Sequence, residues 1–268
     1  MAAVNIIDLT PLDLALAAVL VLALAATSTW LRLGLGRQLI VSGIRTAVQL
    51  LLVGLLLKVV FDADRLLWVA LMAGVMLAVA GREVMRRQRR RFAGPWGYAL
   101  GTVSMFISAF SVTVLALVAV VGTHPWWEPQ YAIPLLGMML GNTMNGVALA
   151  LDRLTAAAWD RRDVIEARLA LGETPVQATA GMRREAVRVG LTPIINAMAA
   201  AGIVSLPGMM TGQILAGAPP WTAVKYQVLI MFMIAGGTGF ATLAAVALGT
   251  RRLFDARERL RLERLSHG

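Results

Sequence analysis

The chain of 268 residues is 58% hydrophobic, has a mean hydropathy of +0.72 and carries a formal charge of +10 without a single cysteine. That much apolar surface exceeds what a soluble core of this length needs and marks an integral membrane protein. The missing cysteines exclude disulfides, thiolate metal sites and cysteine chemistry, and arginines set in short blocks between apolar segments read as topology signals, which excludes a nucleic-acid partner.

Seven apolar runs are long enough to span a bilayer, at about 12–31, 39–61, 66–82, 98–122, 131–151, 193–217 and 222–249. The N-terminal MAAVNIIDLTPLDL lacks a basic flank and carries Asp8 and Asp13, unlike a cleaved signal, so the first run is expected to stay as a span. Arg32 with Arg37, the block from Arg82 to Arg91, the loop 152–190 and the tail from Arg251 to Arg264 hold all but four of the 25 Lys and Arg residues. Seven spans put these four blocks on one side. By the positive-inside rule that side is the cytoplasm, which leaves the N-terminus outside and the C-terminus cytoplasmic. The segment GTHPWWEPQY at 122–131 has no Lys or Arg, and its Trp126, Trp127 and Tyr131 suit the interfacial aromatic belt. With no internal repeat and no linker, residues 1–268 read as a single all-α membrane domain. The tail DARERLRLERL is expected to form a short helix, with Leu260 and Leu265, on the membrane surface or on a partner.

Polar groups inside the spans are candidates for a substrate pathway, because hydrocarbon penalises them unless they are paired or wet. Arg45 and Gln49 share a face of the second span; Arg45 alternatively snorkels to headgroups. Asn142, Thr143 and Asn145 lie in the fifth, where Gly137 and Gly141 form a GxxxG pair that alternatively makes the amides interhelical glue. In the sixth, Ser205, Leu206, Pro207, Gly208, Met209 and Met210 predict a break, since Pro207 removes a backbone donor and Gly208 loosens the next position; a packing kink is the alternative. Methionines 138, 139, 144, 209, 210, 231 and 233 offer soft sulfur, although such residues usually fill gaps. The spans contain no cysteine, histidine or interior carboxylate, His124 and His267 lying outside them. No metal-ligand set follows, and what remains is amide and hydroxyl oxygen, Asn196 included. Such groups suit low-affinity passage along a face shared by the fifth and sixth spans.

The longest polar stretch, 152–190, reads as a cytoplasmic handle. Leu154, Ala158, Ile165 and Leu169 recur at helical spacing. Gly172 suits a helix C-terminus, Thr174 an N-cap, Pro175 the first helical position and Gln177 a capping box. Two helices meeting at such a corner form a lever for a soluble partner, or a plain connector. The chain has no G-x-x-x-x-G-K-[ST] loop, so any ATPase is another chain. The lack of a midspan carboxylate weighs against an ion-coupled secondary transporter; a non-transporting assembly protein stays open.

Glu166, Ala167 and Gly172 have the spacing of the EAA-type loop through which ABC permeases dock on their ATPases. The runs LALGETPVQA and GIVSLPGMMTGQILAG, with KYQ at 225–227, resemble the FetB-type permeases, a family described as metal or iron exporters and related to plant aluminium-tolerance permeases. The resemblance implies a non-enzymatic permease subunit of an ABC transporter in the inner membrane, exporting iron or another metal. It also implies a homodimer paired with two cytoplasmic ATPase subunits that hold ATP and Mg, this chain binding no cofactor. Glu166, Ala167, Gly172, Thr174 and Pro175 would then couple to the ATPase.

Overall fold

The computed structural model describes residues 10–63, 65–122 and 124–267, so Asp8 and Thr123 fall outside it. Among the described residues six helical stretches have the length and apolarity to cross a bilayer: Pro11–Trp30 (α1), Gly36–Ala63 (α2), Leu66–Arg86 (α3), Pro95–Val121, Pro129–Asp160 and Pro220–Leu253. A short strand, Arg90–Phe92 (β1), follows α3. The fourth stretch consists of α4 (Pro95–Met105) and α5 (Ser111–Leu115), each followed by a π-helical turn, at Phe106–Phe110 and Ala116–Val121. The remaining elements are α6 (Pro129–Asp160), α7 (Arg162–Ala170), α8 (Pro175–Ala178), α9 (Ala180–Ala200), α10 (Gly208–Leu215), α11 (Pro220–Leu253), a single 3-10 turn at Leu262–Arg264 and a terminal strand, Leu265–His267 (β2).

The described chain falls into two compact units, one running to Arg65 and including Leu215–Gly217, the other comprising Leu66–Ile214 and everything from Ala218. In the first, Thr10 caps α1 reciprocally with Asp13, and Pro11 takes the first helical position. Arg32 and Gly34, both at positive φ, turn the chain into α2. The helices meet at once: a Cβ on Gly36 would stand 2.6 Å from Thr29 Oγ1. Arg45 and Gln49 are exposed on α2.

In the second unit α6 is the axis, touching α3, α4, α9 and α11. Gly237 lies against Met139, Gly146 against Thr238 and Thr242, and Gly249 against Leu151 and Leu154, so α6 and α11 run parallel. α9 runs opposite to both, since Gly190 lies against Gly146 and Glu185 bonds Arg153. α10 also opposes α11: the Met210 amide donates to Gln227 Oε1 (3.3 Å), and the Gln213 carbonyl accepts from Ala218. α9 and α10 therefore run in the same sense, interrupted at 201–207. The interruption begins upstream of Pro207, because Ala201 is extended and Gly202 takes a left-handed φ of +81°, which ends α9. Pro207 itself leads into α10, its carbonyl accepting from the Thr211 amide. Pro193, where the sixth span was expected to start, lies inside α9.

The fifth span does not stop at 151. With 32 residues α6 is about 48 Å long against about 30 Å of hydrocarbon, and Leu154 and Ala158 are buried along it rather than opening a handle helix. Tertiary cover from α9, α11 and the α3–α4 connection keeps this polar extension helical: Asp152 accepts from the Arg89 amide (2.7 Å), Thr155 donates to the Arg90 carbonyl (2.8 Å), and the Arg90 guanidinium lies 4.0 Å over the Trp159 ring.

The tail does not form the expected helix. Asp255 accepts from the Arg257 and Arg259 amides and from the Arg259 and Arg261 side chains, bending the chain back until β2 pairs antiparallel with β1, Arg91 opposite Ser266. This small sheet is the departure from an all-helical chain. Local side-chain bonds to the backbone outcompete the helix there. The Arg259 and Arg257 amides hold the Asp255 carboxyl down to about 2, so its anchoring is complete above the ordinary carboxylate range and is lost only as pH falls toward about 2.

Two outcomes follow. Gly190→Ala, whose Cβ would meet the Gly146 carbonyl at 2.7 Å, should cost about 1–3 kcal/mol and lower the thermal midpoint in detergent, whereas Gly181→Ala on the same helix, with open space around it, should not. In this cysteine-free chain, Arg91→Cys with Ser266→Cys should close a disulfide under mild oxidant, as antiparallel partners about 5.5 Å apart permit; adding Asp255→Asn should slow closure.

Candidate functional site

Two places combine the sequence-predicted residues, a corner at one end of the second unit and a cavity toward the other. At the corner α7 closes with the two bonds of a Schellman turn, Gly172 N–H to the Leu169 carbonyl (3.0 Å) and Glu173 N–H to the Arg168 carbonyl (3.1 Å), with Gly172 at φ +89°. Thr174 then caps α8 reciprocally with Gln177, and Pro175 starts it. Arg168 ties the two sides together, pairing with Glu173 at 2.7 Å and donating to the Ala178 carbonyl at 3.1 Å. The base is fixed by Glu185 of α9, which pairs with Arg153 of α6 and with Arg161 (3.3 Å). The Arg153 hydrogen bond holds the Glu185 carboxyl below its ordinary value. Ile165 is buried inward, while Glu166 and Ala167 face out, and Leu171 at the tip is 85% exposed.

The cavity, of about 600 Å³, lies among α6, α10, α11 and Val121. Met138, Met209 and Met233 bring thioether sulfur to it, and Gln213, Thr222 and Tyr226 bring polar atoms. Gln213 Oε1 is buried without a hydrogen-bond partner among the described residues. Gln227, also buried, secures the start of α10 through the Met210 amide.

The pathway candidates therefore separate. Met209 lines the cavity, Gly208 and Met210 flank it in the first turn of α10, and Pro207 precedes that helix. Asn142 sits one turn from Met138 on α6, its amide donating to the Met138 carbonyl at 2.8 Å. Ser205 belongs to the interruption, its hydroxyl reaching the Ala200 carbonyl at 3.5 Å. Asn145 does not join Asn142: it accepts from Arg87 beside Asp152 and Pro193, bordering a separate cavity of about 230 Å³. Thr143 is buried and bonds back to the Met139 carbonyl. Arg45 and Gln49 belong to the other unit. Gln213 and Tyr226 were missed as site residues, although an amide in an apolar run is the same signal that singled out Asn142. Among the described residues no group of three or more His, Cys, Asp or Glu gathers as a metal centre.

A family model for the uncharacterised protein family UPF0014 matches residues 11–254. The chain belongs to this family. Its relatives include a UPF0014 membrane protein of Synechocystis, 40% identical over 89% of this chain and 91% of the relative. Another is the Escherichia coli protein named probable iron export permease FetB, 32% identical over 94% and 95%. A third, ALUMINUM SENSITIVE 3 of Arabidopsis thaliana, is 31% identical over 87% and 84%. No solved structure matches the chain. UPF0014 relatives named as membrane proteins, together with six long apolar helices among the described residues, make this a multi-pass membrane protein.

Removing the cap at the corner should be measurable without touching the membrane. Thr174→Ala is expected to cost about 1 kcal/mol locally and to speed amide hydrogen exchange over 174–178 about fivefold, with α6 unaffected.

Proposed function

We propose that this chain is the permease subunit of an ATP-driven transporter exporting iron or another metal, as ion or complex, with ATP and Mg²⁺ held by a separate cytoplasmic ATPase. Two copies of the chain work with two of the ATPase in the cell membrane. The observation that carries the reading is the corner: α7 and α8 are locked by backbone and capping bonds, yet Leu171 is left 85% exposed beside the outward-facing Glu166 and Ala167. A connector has no need of such a rigid apolar tip, whereas a lever that a soluble subunit pushes requires one. The name of the Escherichia coli relative supports the cargo class.

Seven crossings fit the helix directions. Because α6 and α11 run parallel, the chain between them returns across the bilayer, and α9 with α10 supplies that return as an interrupted helix. An odd count with the arginine-rich ends inside leaves the N-terminus outside and the C-terminus cytoplasmic. Movement of the corner then passes along α9 to the interruption and alters access to the cavity. Gln213, Tyr226 and the three methionine sulfurs would hold a hydrated or chelated metal weakly enough to release it.

Co-purification of an ATPase with the chain, then reconstitution and assay of metal-stimulated ATP hydrolysis and metal flux, tests the reading. Gly172→Pro, which removes the amide bonded to Leu169 and cannot adopt φ +89°, and Glu166→Arg should each lower flux per ATP at least about tenfold while leaving insertion intact. Gln213→Leu should weaken metal stimulation without loss of the ATPase. Full coupling in both corner variants would reduce the corner to a connector, and stimulation only by an organic solute would remove the metal.

A further inference from the structure

Between α4 and α11, away from the cavity and the corner, runs an open groove of about 360 Å³. Trp96, Leu100 and Val103 of α4 and Leu248 of α11 form its apolar walls, and Arg251 and Arg252, in the last turn of α11, stand at one end. Trp96 and Val103 are 46% and 45% exposed, whereas Leu100 is buried as the floor. The Arg252 guanidinium is oriented rather than loose, lying 4.6 Å over the Trp96 ring. The backbone of that turn is fixed as well, since Arg264 of the tail donates to the Arg252 carbonyl at 2.8 Å.

An apolar trough along two membrane helices, ending in two cations where hydrocarbon gives way to water, has the polarity profile of a single lipid: acyl chain against Val103 and Leu248, headgroup at the arginines. Among the described residues no carboxylate lines the groove, so none there pairs with the ammonium of a zwitterionic headgroup, while two guanidiniums suit an unbalanced phosphate. We propose that this groove is a binding site for one anionic phospholipid, its phosphate held by Arg251 and Arg252 and one acyl chain lying along Leu100 between Trp96 and Leu248. The site rests on the chain's place in a bilayer and not on what the chain transports. Occupied, it would join the first turn of α4 to the last turn of α11, next to the folded tail.

The test is native mass spectrometry of the full chain in detergent, titrated with phosphatidylglycerol, with phosphatidylcholine of the same acyl chains, and with glycerol phosphate. One phosphatidylglycerol should be retained at collision energies that strip phosphatidylcholine. Arg251→Gln with Arg252→Gln should weaken its binding roughly thirtyfold, at about a factor of five per basic residue, and Val103→Trp should abolish it with both arginines intact. Equal retention of the two lipids, unchanged affinity in the double variant, or competition by glycerol phosphate at the lipid's own concentration would each overturn the proposal, the last by making it a site for free anions. Conversion of a dimer to a monomer by Val103→Trp, with lipid retention unaltered, would overturn it in favour of a second copy as the occupant.

Discussion

The second unit depends on one close approach. Gly146 of α6 and Gly190 of α9 meet backbone to backbone, so that a Cβ on either would come within 2.7–3.0 Å of the other's carbonyl, and Thr238 and Thr242 of α11 fill the remaining space. Helices in lipid gain little from hiding apolar surface from one another and associate through dispersion contact, which is greatest where side chains are smallest. From this contact the axes of α6 and α9 run to the Arg153–Glu185–Arg161 cluster, so the corner stands on two helices already fixed to each other. On the proposed reading, a push at Leu171 would pass into α9 rather than be absorbed by local bending.

Toward the other end the same packing explains the cavity. α9 stops at Ala200, and the partner of α6 and α11 beyond it is the eight-residue α10, set off by the turn at Gly202. Where three long helices touch, Gly146, Gly190, Thr238 and Thr242 let the backbones close in; where the third is interrupted, space opens, and glutamine, tyrosine and methionine side chains border it. Tightness and space are consecutive stretches of one helix group.

Features governed by neighbours in sequence were legible. The capping pattern Thr174, Pro175 and Gln177 and the left-handed Gly172 are short-range rules, and they place the corner within a residue. The interruption of the sixth span was visible through its proline, but it begins at Ala201, and the left-handed Gly202 that follows gives no stronger signal than the other glycines of that run. The continuation of α6 past Leu151 was hidden because Asp152, Arg153 and Asp160 look like a loop; the stretch remains helical because Asp152, Thr155 and Arg153 bond Arg89, Arg90 and Glu185, from 32 to 65 residues away. The tail misled for the opposite reason, its leucines among mixed charges suiting a surface helix while Asp255 captures the amides a helix would use. Asn142 and Asn145, three residues apart, looked like one polar patch, and Arg87 takes one of them to another face.

The surplus length of α6 has a mechanical meaning. If the helix is flush with the hydrocarbon at Pro129, about 18 Å of it projects at the other end, and the headgroup layer accounts for only about 6 Å of that. The corner would then stand on a rigid post about 12 Å clear of the lipid surface. A soluble protein seated there is spared any competition with phospholipid headgroups for the same ground, and a small sideways displacement at the top of the post becomes a tilt at its foot. On the proposed reading, the reach of one helix would set both the clearance for docking and the leverage of the stroke.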